Sequence, residues 1–155
     1  MVIADELVEM HRRMLVIRGF EQRVAALYRD GEVPGFVHLS VGQEASAVGA
    51  CWPLGPADVI TSTHRGHGHC LAKGLEPAAM FAELMARDEG ANRGRGGSMH
   101  IADPNLGIFG ANGIVAADCR SRSARRPPLS CEATEPLPSR SSVTVRSRKA
   151  PSTKR

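Results

Sequence analysis

An abrupt change of composition after Ala117 limits how much of this 155-residue chain can form a folded core. Residues 1–117 hold 10 Lys and Arg against 13 Asp and Glu, whereas residues 118–155 hold 10 against 3. The second segment contains no glycine and no aromatic residue, and serine, proline and arginine dominate it. Low hydrophobicity with high charge is typical of disordered segments. We therefore expect one folded unit in residues 1–117 and a disordered basic tail in 118–155.

Several classes of protein are excluded by the pattern of apolar residues and cysteines. No run of about 20 apolar residues is present, so the sequence predicts no membrane span. The segment Met1–Glu6 is not a basic stretch followed by an apolar run, which is unlike a secretory signal. The four cysteines form no CxxC pair, as is typical of a reducing compartment. These features predict a cytoplasmic protein.

A long amphipathic helix is expected over residues 5–30. Asp5 is expected to cap its start, and Gly31 is expected to end it. The helix is expected to pack on its own domain, and packing on a partner subunit is the alternative. Apolar side chains recur at helical spacing along one stripe, namely Leu7, Met10, Met14, Ile17, Val24 and Leu27.

Shorter elements are expected beyond this helix. An extended piece runs into a helix near Gly42, and residues 58–61 form a short buried strand. A further helix starts at Pro77, because proline suits a first helical turn, and ends near Arg87. Two glycine-rich loops are expected at residues 92–100 and 104–113.

The histidine-rich run Thr63–Cys70 is the first candidate for chemistry. Its three histidines and its cysteine could bind a metal, but they crowd into seven residues with no second pair, which suits a tetrahedral zinc poorly. An anion site is favoured instead, because Arg65 offers a planar fork and histidines can donate to phosphate. A polar loop without a ligand is the alternative.

Two weaker candidates are the loop Arg93–Ser98 and His38. Small residues and arginines can cradle phosphate, although no dinucleotide fingerprint and no P-loop motif occurs. A solvated loop is equally compatible with this sequence. His38 lies between Val37 and Leu39, a setting typical of a core histidine, and the His/Arg cluster nearby in sequence favours a catalytic role as the alternative.

Five segments, taken together, resemble the α subunit of the E1 component of thiamine-diphosphate-dependent 2-oxoacid dehydrogenases, a family that includes pyruvate, branched-chain and acetoin types. The segments cover about residues 10–117 and occur in family order. They are Arg18-Gly-Phe-Glu, Gly35-Phe-Val-His-Leu-Ser-Val-Gly-Gln-Glu-Ala, His64-Arg-Gly-His-Gly, Gly96-Gly-Ser-Met-His and Gly110-Ala-Asn-Gly-Ile-Val.

This resemblance implies a fold, a reaction and partners. The fold is the α/β doubly wound thiamine-diphosphate fold, of which this chain holds an N-terminal fragment that is mostly helical. The reaction is oxidative decarboxylation of a 2-oxoacid, or cleavage of acetoin, with acyl transfer to lipoyl. The cofactors are thiamine diphosphate and Mg²⁺. The partners are an E1 β subunit and, through it, a lipoyl-bearing E2. Because the glutamate that activates the cofactor belongs to the β subunit, the chain alone is not expected to catalyse.

The resemblance also implies roles for individual residues. His38 matches the histidine that faces cofactor and substrate, and His67 is carried over as a second catalytic residue. Arg65 matches the arginine that binds the diphosphate. His64 stands where many members have tyrosine, and its imidazole could still donate to a phosphate oxygen.

The resemblance assigns two further cofactor contacts near the end of the matched region. Gly113 and Val115 match the segment whose backbone contacts the aminopyrimidine of the cofactor. No metal ligand is assigned, because the family's Gly-Asp-Gly and the later asparagine that hold Mg²⁺ are missing after Ala117.

The tail itself indicates why the family pattern stops. Permitted codons for residues 118–126, read from the third base of codon 117, encode Gly-Leu-Pro-Ile-Ala-Val-Gly-Ala-Ala, and the continuation can encode Gly-Asp-Gly. We interpret the chain as an E1 α subunit truncated by a frameshift, either natural or a sequencing error. The alternatives are a non-catalytic fragment that binds the β subunit, and a basic-tailed protein with salt-sensitive nucleic-acid contacts.

Overall fold

The computed structural model describes residues 4–112 and 144–146. A 3₁₀ helix at Pro104–Leu106 precedes the second strand. In chain order the other elements are α1 (Ala4–Arg29), α2 (Glu44–Cys51), β1 (Val59–Thr63), α3 (His67–Lys73), α4 (Pro77–Leu84), β2 (Ile108–Asn112) and β3 (Thr144–Arg146).

Helix α1 supplies one wall of the core with its C-terminal half. Phe20, Val24 and Leu27 are buried there and pack with residues of β1, α3 and α4. Gly31 has a φ of 78° after the last turn, a conformation that glycine adopts without strain, so the helix ends where the sequence predicts. Asp5 lies inside the first turn and is not the cap, because the helix already begins at Ala4. Its negative charge there complements the helix dipole.

The stripe predicted on α1 is buried only in part. Ile17, Val24 and Leu27 are buried, whereas Leu7 is 57% exposed. The N-terminal half of α1 therefore carries an apolar surface that the described residues do not cover. We call it the N-terminal apolar face, and it consists of Leu7, Val8, Leu15 and Val16.

A small sheet with strand order β2-β1-β3 lies next to these helices. Strands β1 and β2 are parallel, and Thr63 is opposite Asn112 in the register. Two parallel strands joined by a helical connection are the unit of α/β folds, so the predicted α/β class is confirmed. The predicted loop at 104–113 is wrong, because this stretch forms the 3₁₀ helix and β2. Its strand is held by pairing with β1 and by the buried Ile108.

Three residues of the segment predicted as a disordered tail form a strand. Thr144–Arg146 pairs antiparallel with β1, with Val145 opposite Ile60. β-Branched residues such as threonine and valine suit strands. The charge and composition of the whole segment do not reveal so short a strand. The rest of the predicted tail lies outside the described residues.

Helix α3 occupies the second half of the histidine-rich run, where the sequence analysis allowed for a polar loop. Cys70 and Ala72 form the buried face of this helix. Gly74 ends it as the C-terminal cap, with a left-handed φ of 112°. Gly68 lets this helix approach its neighbours, because a Cβ atom there would lie 3.0 Å from the Cβ of Ala47 and 3.4 Å from Oγ of Ser40.

In the part of the chain that the structure describes, none of the helices combines the length and the apolar character needed to cross a bilayer.

Candidate functional site

His38 and His64 form the centre of the candidate site. Their imidazole rings meet edge to face, with centroids 5.6 Å apart and planes at 87°. Each ring has a buried Nδ1 atom without a hydrogen-bond partner among the described residues. Buried polar atoms are nearly always bonded in proteins, so this pair of nitrogens without partners is an unusual feature, and a polar ligand is one group that would account for it.

Arg65 gives the site its positive charge. Its Nη1 atom donates to the backbone carbonyl oxygen of Leu39, next to His38 in the chain. No carboxylate pairs with Arg65 among residues 4–111. Burial lowers the pKa of His64, and the nearby charges of Arg65 and His38 lower it further. The site therefore offers a fixed guanidinium and a neutral imidazole, which suits an anionic ligand.

His67 lies behind this pair in the protein interior, where it is fully buried. Its Nδ1 atom lies 3.1 Å from Oε1 of Glu21, and its Nε2 atom lies 2.9 Å from Oγ of Ser98. Ser40 donates to the same Glu21 oxygen at 2.6 Å. The backbone N–H of His38 donates to Oγ of Ser98 at 3.1 Å. Both ring nitrogens of His67 are thus engaged by the protein itself, and no face of the ring is open to a substrate.

The glycine-rich loop wraps a carboxylate of its own chain. Oε2 of Glu83 accepts hydrogen bonds from the backbone N–H groups of Asn92 and Gly94, and Oε1 accepts from those of Gly96 and Gly97. Glu83 is completely buried. The interpretation of these N–H groups as a phosphate cradle is therefore wrong, because an internal anion already occupies them.

The histidine-rich run does not converge on one point. His69 bonds through Nδ1 to Oγ of Ser62 at 3.1 Å, and burial lowers its pKa to about 4. Cys70 belongs to the apolar core, where burial raises its thiol pKa to about 12. His64 meets the ring of His38, whereas His67 bonds to Glu21 and Ser98. Among the described residues no group of three or more His, Cys, Asp or Glu side chains is placed to hold a metal ion.

The carboxyl edge of the parallel strands positions the site. β1 ends at Thr63, directly before His64, and its register partner Asn112 ends β2. Ligands of open α/β sheets bind outside the carboxyl ends of the strands. Gly113 and Val115, the remaining residues predicted to contact a cofactor, follow Asn112 in the chain and lie outside the described residues.

Glu21, Ser40, Ser98 and Glu83 are the polar residues that the sequence analysis passed over. A signal was available for the two glutamates. Glu21 follows Ile17 by four positions and precedes Val24 by three, so it lies on the buried face of α1. Glu83 is flanked on its helix by buried Met80 and Leu84. The two serines carry no comparable signal, because their partners are distant in the sequence.

Comparison with known proteins identifies the family. The profile of the dehydrogenase E1 component family matches residues 12–125. The chain is 57% identical over 106 residues to the α subunit of acetoin:2,6-dichlorophenolindophenol oxidoreductase of Bacillus subtilis (strain 168), a match over 68% of this chain and 32% of that protein. It is 50% identical over 113 residues to the protein of the same name in Cupriavidus necator, covering 73% and 34%.

A pyruvate dehydrogenase subunit is also similar. The E1 component subunit α of Zymomonas mobilis is 48% identical over 114 residues, a match over 73% of this chain and 32% of that protein. The chain thus spans about a third of the length of these curated relatives. The matched region contains most of α1, the His38 segment, the His64–Arg65 turn and the glycine-rich loop, which are the parts that build the site. The chain belongs to the dehydrogenase E1 component family, as the five sequence motifs predict.

Proposed function

We propose that this chain contributes the α-subunit half of a thiamine-diphosphate site to a dehydrogenase that decarboxylates a 2-oxoacid, or cleaves acetoin, and passes the acyl group to lipoyl. The family is thiamine-diphosphate dependent. The observation that carries the proposal is the convergence of Arg65, His64 and His38 at the carboxyl end of β1, with no carboxylate among the described residues to neutralise the guanidinium.

The described residues fit the diphosphate end of the cofactor. Arg65 presents an uncompensated planar cation beside two imidazoles whose Nδ1 atoms have no partner among the described residues. A diphosphate supplies the negative charge and the acceptor oxygens that such a set lacks. Mg²⁺ has no comparable fit, because no cluster of ligands for it occurs in the described part of the chain. We assign the metal no step.

When bound, thiamine diphosphate supplies the carbon nucleophile and the electron sink that the chemistry needs. The protein's own residues then have separate tasks. Arg65 binds the diphosphate. His64, whose pKa is lowered by burial and by Arg65, donates one N–H to a phosphate oxygen as a neutral imidazole. His38 orients or protonates the substrate near the reacting carbonyl group.

Histidine NMR tests this assignment on the 155-residue chain. Thiamine diphosphate, and inorganic pyrophosphate as a simpler probe, are titrated onto protein labelled with ¹⁵N-histidine, with and without Mg²⁺. We expect the ring signals of His64 to shift, with weak affinity and little effect of Mg²⁺, and the shift to vanish in Arg65→Met. Arg95→Met, which removes an exposed arginine of the glycine-rich loop, is the matched control and should bind as the wild type does. Equal loss in both variants would contradict the assignment.

A non-catalytic role on the β subunit is the second candidate, and one observation favours it. The N-terminal apolar face leaves Val8 70% and Leu15 58% exposed, and exposed apolar patches mark interaction surfaces. We propose that this face contacts the E1 β subunit, through which a lipoyl-bearing E2 is reached. Co-purification with a tagged β subunit should be weakened by Leu15→Glu and unaffected by Gln22→Glu, which adds the same charge at another exposed position of α1. Retention of both variants would exclude the face as the contact.

A further inference from the structure

A continuous chain of buried hydrogen bonds connects helix α1 to the backbone of His38. It runs from Glu21 Oε1 to Nδ1 of His67 at 3.1 Å, from Nε2 of His67 to Oγ of Ser98 at 2.9 Å, and from that oxygen to the backbone nitrogen of His38 at 3.1 Å. Glu21 and His67 are fully buried, and Ser98 is 6% exposed. The chain therefore joins four separate segments inside the protein.

For an ionised Glu21 and a neutral His67, the partners fix the direction of every bond. Glu21 as a carboxylate only accepts, so Nδ1 of His67 carries the proton that it receives. In a neutral imidazole the other nitrogen is then an acceptor, and the hydroxyl of Ser98 donates to Nε2. The lone pairs of Ser98 remain free to accept the N–H of His38, which can only donate. One carboxylate thus sets the orientation of each group as far as the His38 amide.

Other contacts hold the members of this chain in place. The ring of Phe20 meets that of His67 edge to face, with centroids 6.1 Å apart. Ser98 follows directly after the loop that Glu83 fixes through Gly96 and Gly97. At the α1 end the hydroxyl of Ser40, two residues after His38, also bonds to Glu21.

The backbone of His38 is consequently held at two points by one glutamate. One path runs through the hydroxyl of Ser40, and the other runs through His67 and Ser98 to the N–H of His38 itself. His38 lies outside the helices and strands, so no regular backbone hydrogen bond is available to its N–H in place of the one to Ser98. The position of the His38 ring relative to His64 depends on this attachment.

We propose that Glu21, His67 and Ser98 are positioning residues that fix the backbone of His38, and thereby the geometry of the His38–His64 pair, for the ligand that the site binds. The proposal rests on the proposed function for the identity of that ligand. It replaces direct catalysis by His67 with an indirect role. The order Ser-His-Glu is also that of a hydrolytic triad, but Ser98 is buried and its oxygen already accepts an N–H, so we assign it no nucleophilic role.

The first measurement needs no cofactor. Histidine ¹⁵N spectra of the 155-residue chain report which ring nitrogen of His67 carries the proton. We expect the Nδ1–H tautomer, and conversion to a mixture of tautomers in Glu21→Gln, because a side-chain amide can donate as well as accept. An Nε2–H form in the wild type would overturn the proposal.

The second measurement compares two matched serine substitutions. Ser98→Ala removes the hydroxyl bonded to His67, whereas Ser62→Ala removes a similarly buried hydroxyl bonded to His69 on the same helix. Loss of one hydrogen bond corresponds to about a tenfold change in an equilibrium. We expect hydrogen exchange at the His38 amide to become about tenfold faster in Ser98→Ala and to change little in Ser62→Ala. Equal exchange in both variants would overturn the proposal.

Two further arms separate folding and function from positioning. Ser98→Thr keeps the hydroxyl and should restore slow exchange at His38 if Ser98→Ala is too unstable to study. Thiamine diphosphate is then titrated onto each variant while the His38 and His64 rings are observed. If the exchange rates differ as expected but neither the wild type nor any variant responds to the ligand, the proposed function is rejected and the positioning network stands.

Discussion

Oε1 of Glu83 lies 2.7 Å from the backbone nitrogen of Gly96, thirteen positions further along the chain. Three more N–H groups of the same loop bond to this carboxylate. The glycines allow the loop to close so tightly, because a Cβ atom on Gly94 would lie 2.3 Å from the backbone of Ala86 and one on Gly96 would lie 2.3 Å from the carbonyl oxygen of His100. The buried charge is therefore compensated entirely by backbone dipoles of the loop.

Substitution of Glu83 should destabilise the protein strongly. Glu83→Gln keeps the size of the side chain but replaces one accepting oxygen by a donor, which leaves two buried N–H groups facing another donor. We expect the free energy of unfolding to fall by about 2–4 kcal/mol, measured by urea denaturation. Glu89→Gln, an exposed change of the same chemistry, should alter it by less than about 0.5 kcal/mol. Similar values for the two variants would contradict the structural role of Glu83.

A pH-sensitive contact joins α1 to α2. Arg18 pairs with both carboxylate oxygens of Glu44, at 2.5 and 2.9 Å, and mainly through this bond the pKa of Glu44 falls from 4.5 to about 2. A carboxyl group whose pKa is lower in the folded chain stabilises the fold at pH values above its pKa in the unfolded chain. This stabilisation is lost as the pH falls from about 4.5 to 2. Arg18→Met should therefore lower the urea midpoint at pH 6 and much less at pH 3. An equal decrease at both values would exclude the ion pair as the cause.

His69 should produce a separate loss of stability on acidification, in a higher pH range than that of Glu44. Burial lowers its pKa from 6.5 to about 4, so the unfolded chain binds a proton between these values while the folded chain does not. Stability therefore falls as the pH falls from about 6.5 to 4, by roughly 2–3 kcal/mol in total. His69→Gln cannot take up this proton, so its unfolding free energy should depend less on pH over the same range, and part of the remaining slope belongs to His64, whose pKa is also lowered. A wild-type profile without a slope there would contradict the prediction.

The reading frame after Ala117 is open to a direct test. Codons permitted for residues 118–126 encode, from the third base of codon 117, a segment that suits the family better than the translated one does. Sequencing the gene through this position should show third bases that yield Gly-Leu-Pro-Ile-Ala-Val-Gly-Ala-Ala in the shifted frame. Third bases that encode other residues or a stop codon in the shifted frame would reject the frameshift, whether natural or a sequencing error.

Local patterns of the sequence predict much of the fold. The helix over residues 5–30, the strand near Val59 and the helix starting at Pro77 all carry strong period or capping signals, and each is observed. Strand β2 could not be predicted in the same way. Two glycines flank or interrupt its short apolar run, and its stability comes from pairing with β1 about fifty residues earlier. Non-local pairing of this kind leaves little trace in a local window.

The sequence predicts the central residues of the candidate site but not the buried residues that hold them in place. The motifs give His38, His64 and Arg65, which the structure brings together. They do not reveal that His67 is enclosed, because its partners Glu21 and Ser98 lie 46 and 31 positions away. A histidine in a glycine-rich run is compatible with a ligand contact or with an internal bond, and only the tertiary structure distinguishes them.

The missing side chain of Gly68 has a consequence beyond packing. His67 precedes it on α3, and Ser40 lies 3.4 Å from the point that a Cβ atom would occupy. His67 and Ser40 share Glu21 at this close spacing. A methyl group at position 68 would require Ala47 to give way by a few tenths of an ångström, and that shift would fall between α2 and α3. Gly68 therefore allows α3 to carry His67 to the carboxylate that also holds Ser40.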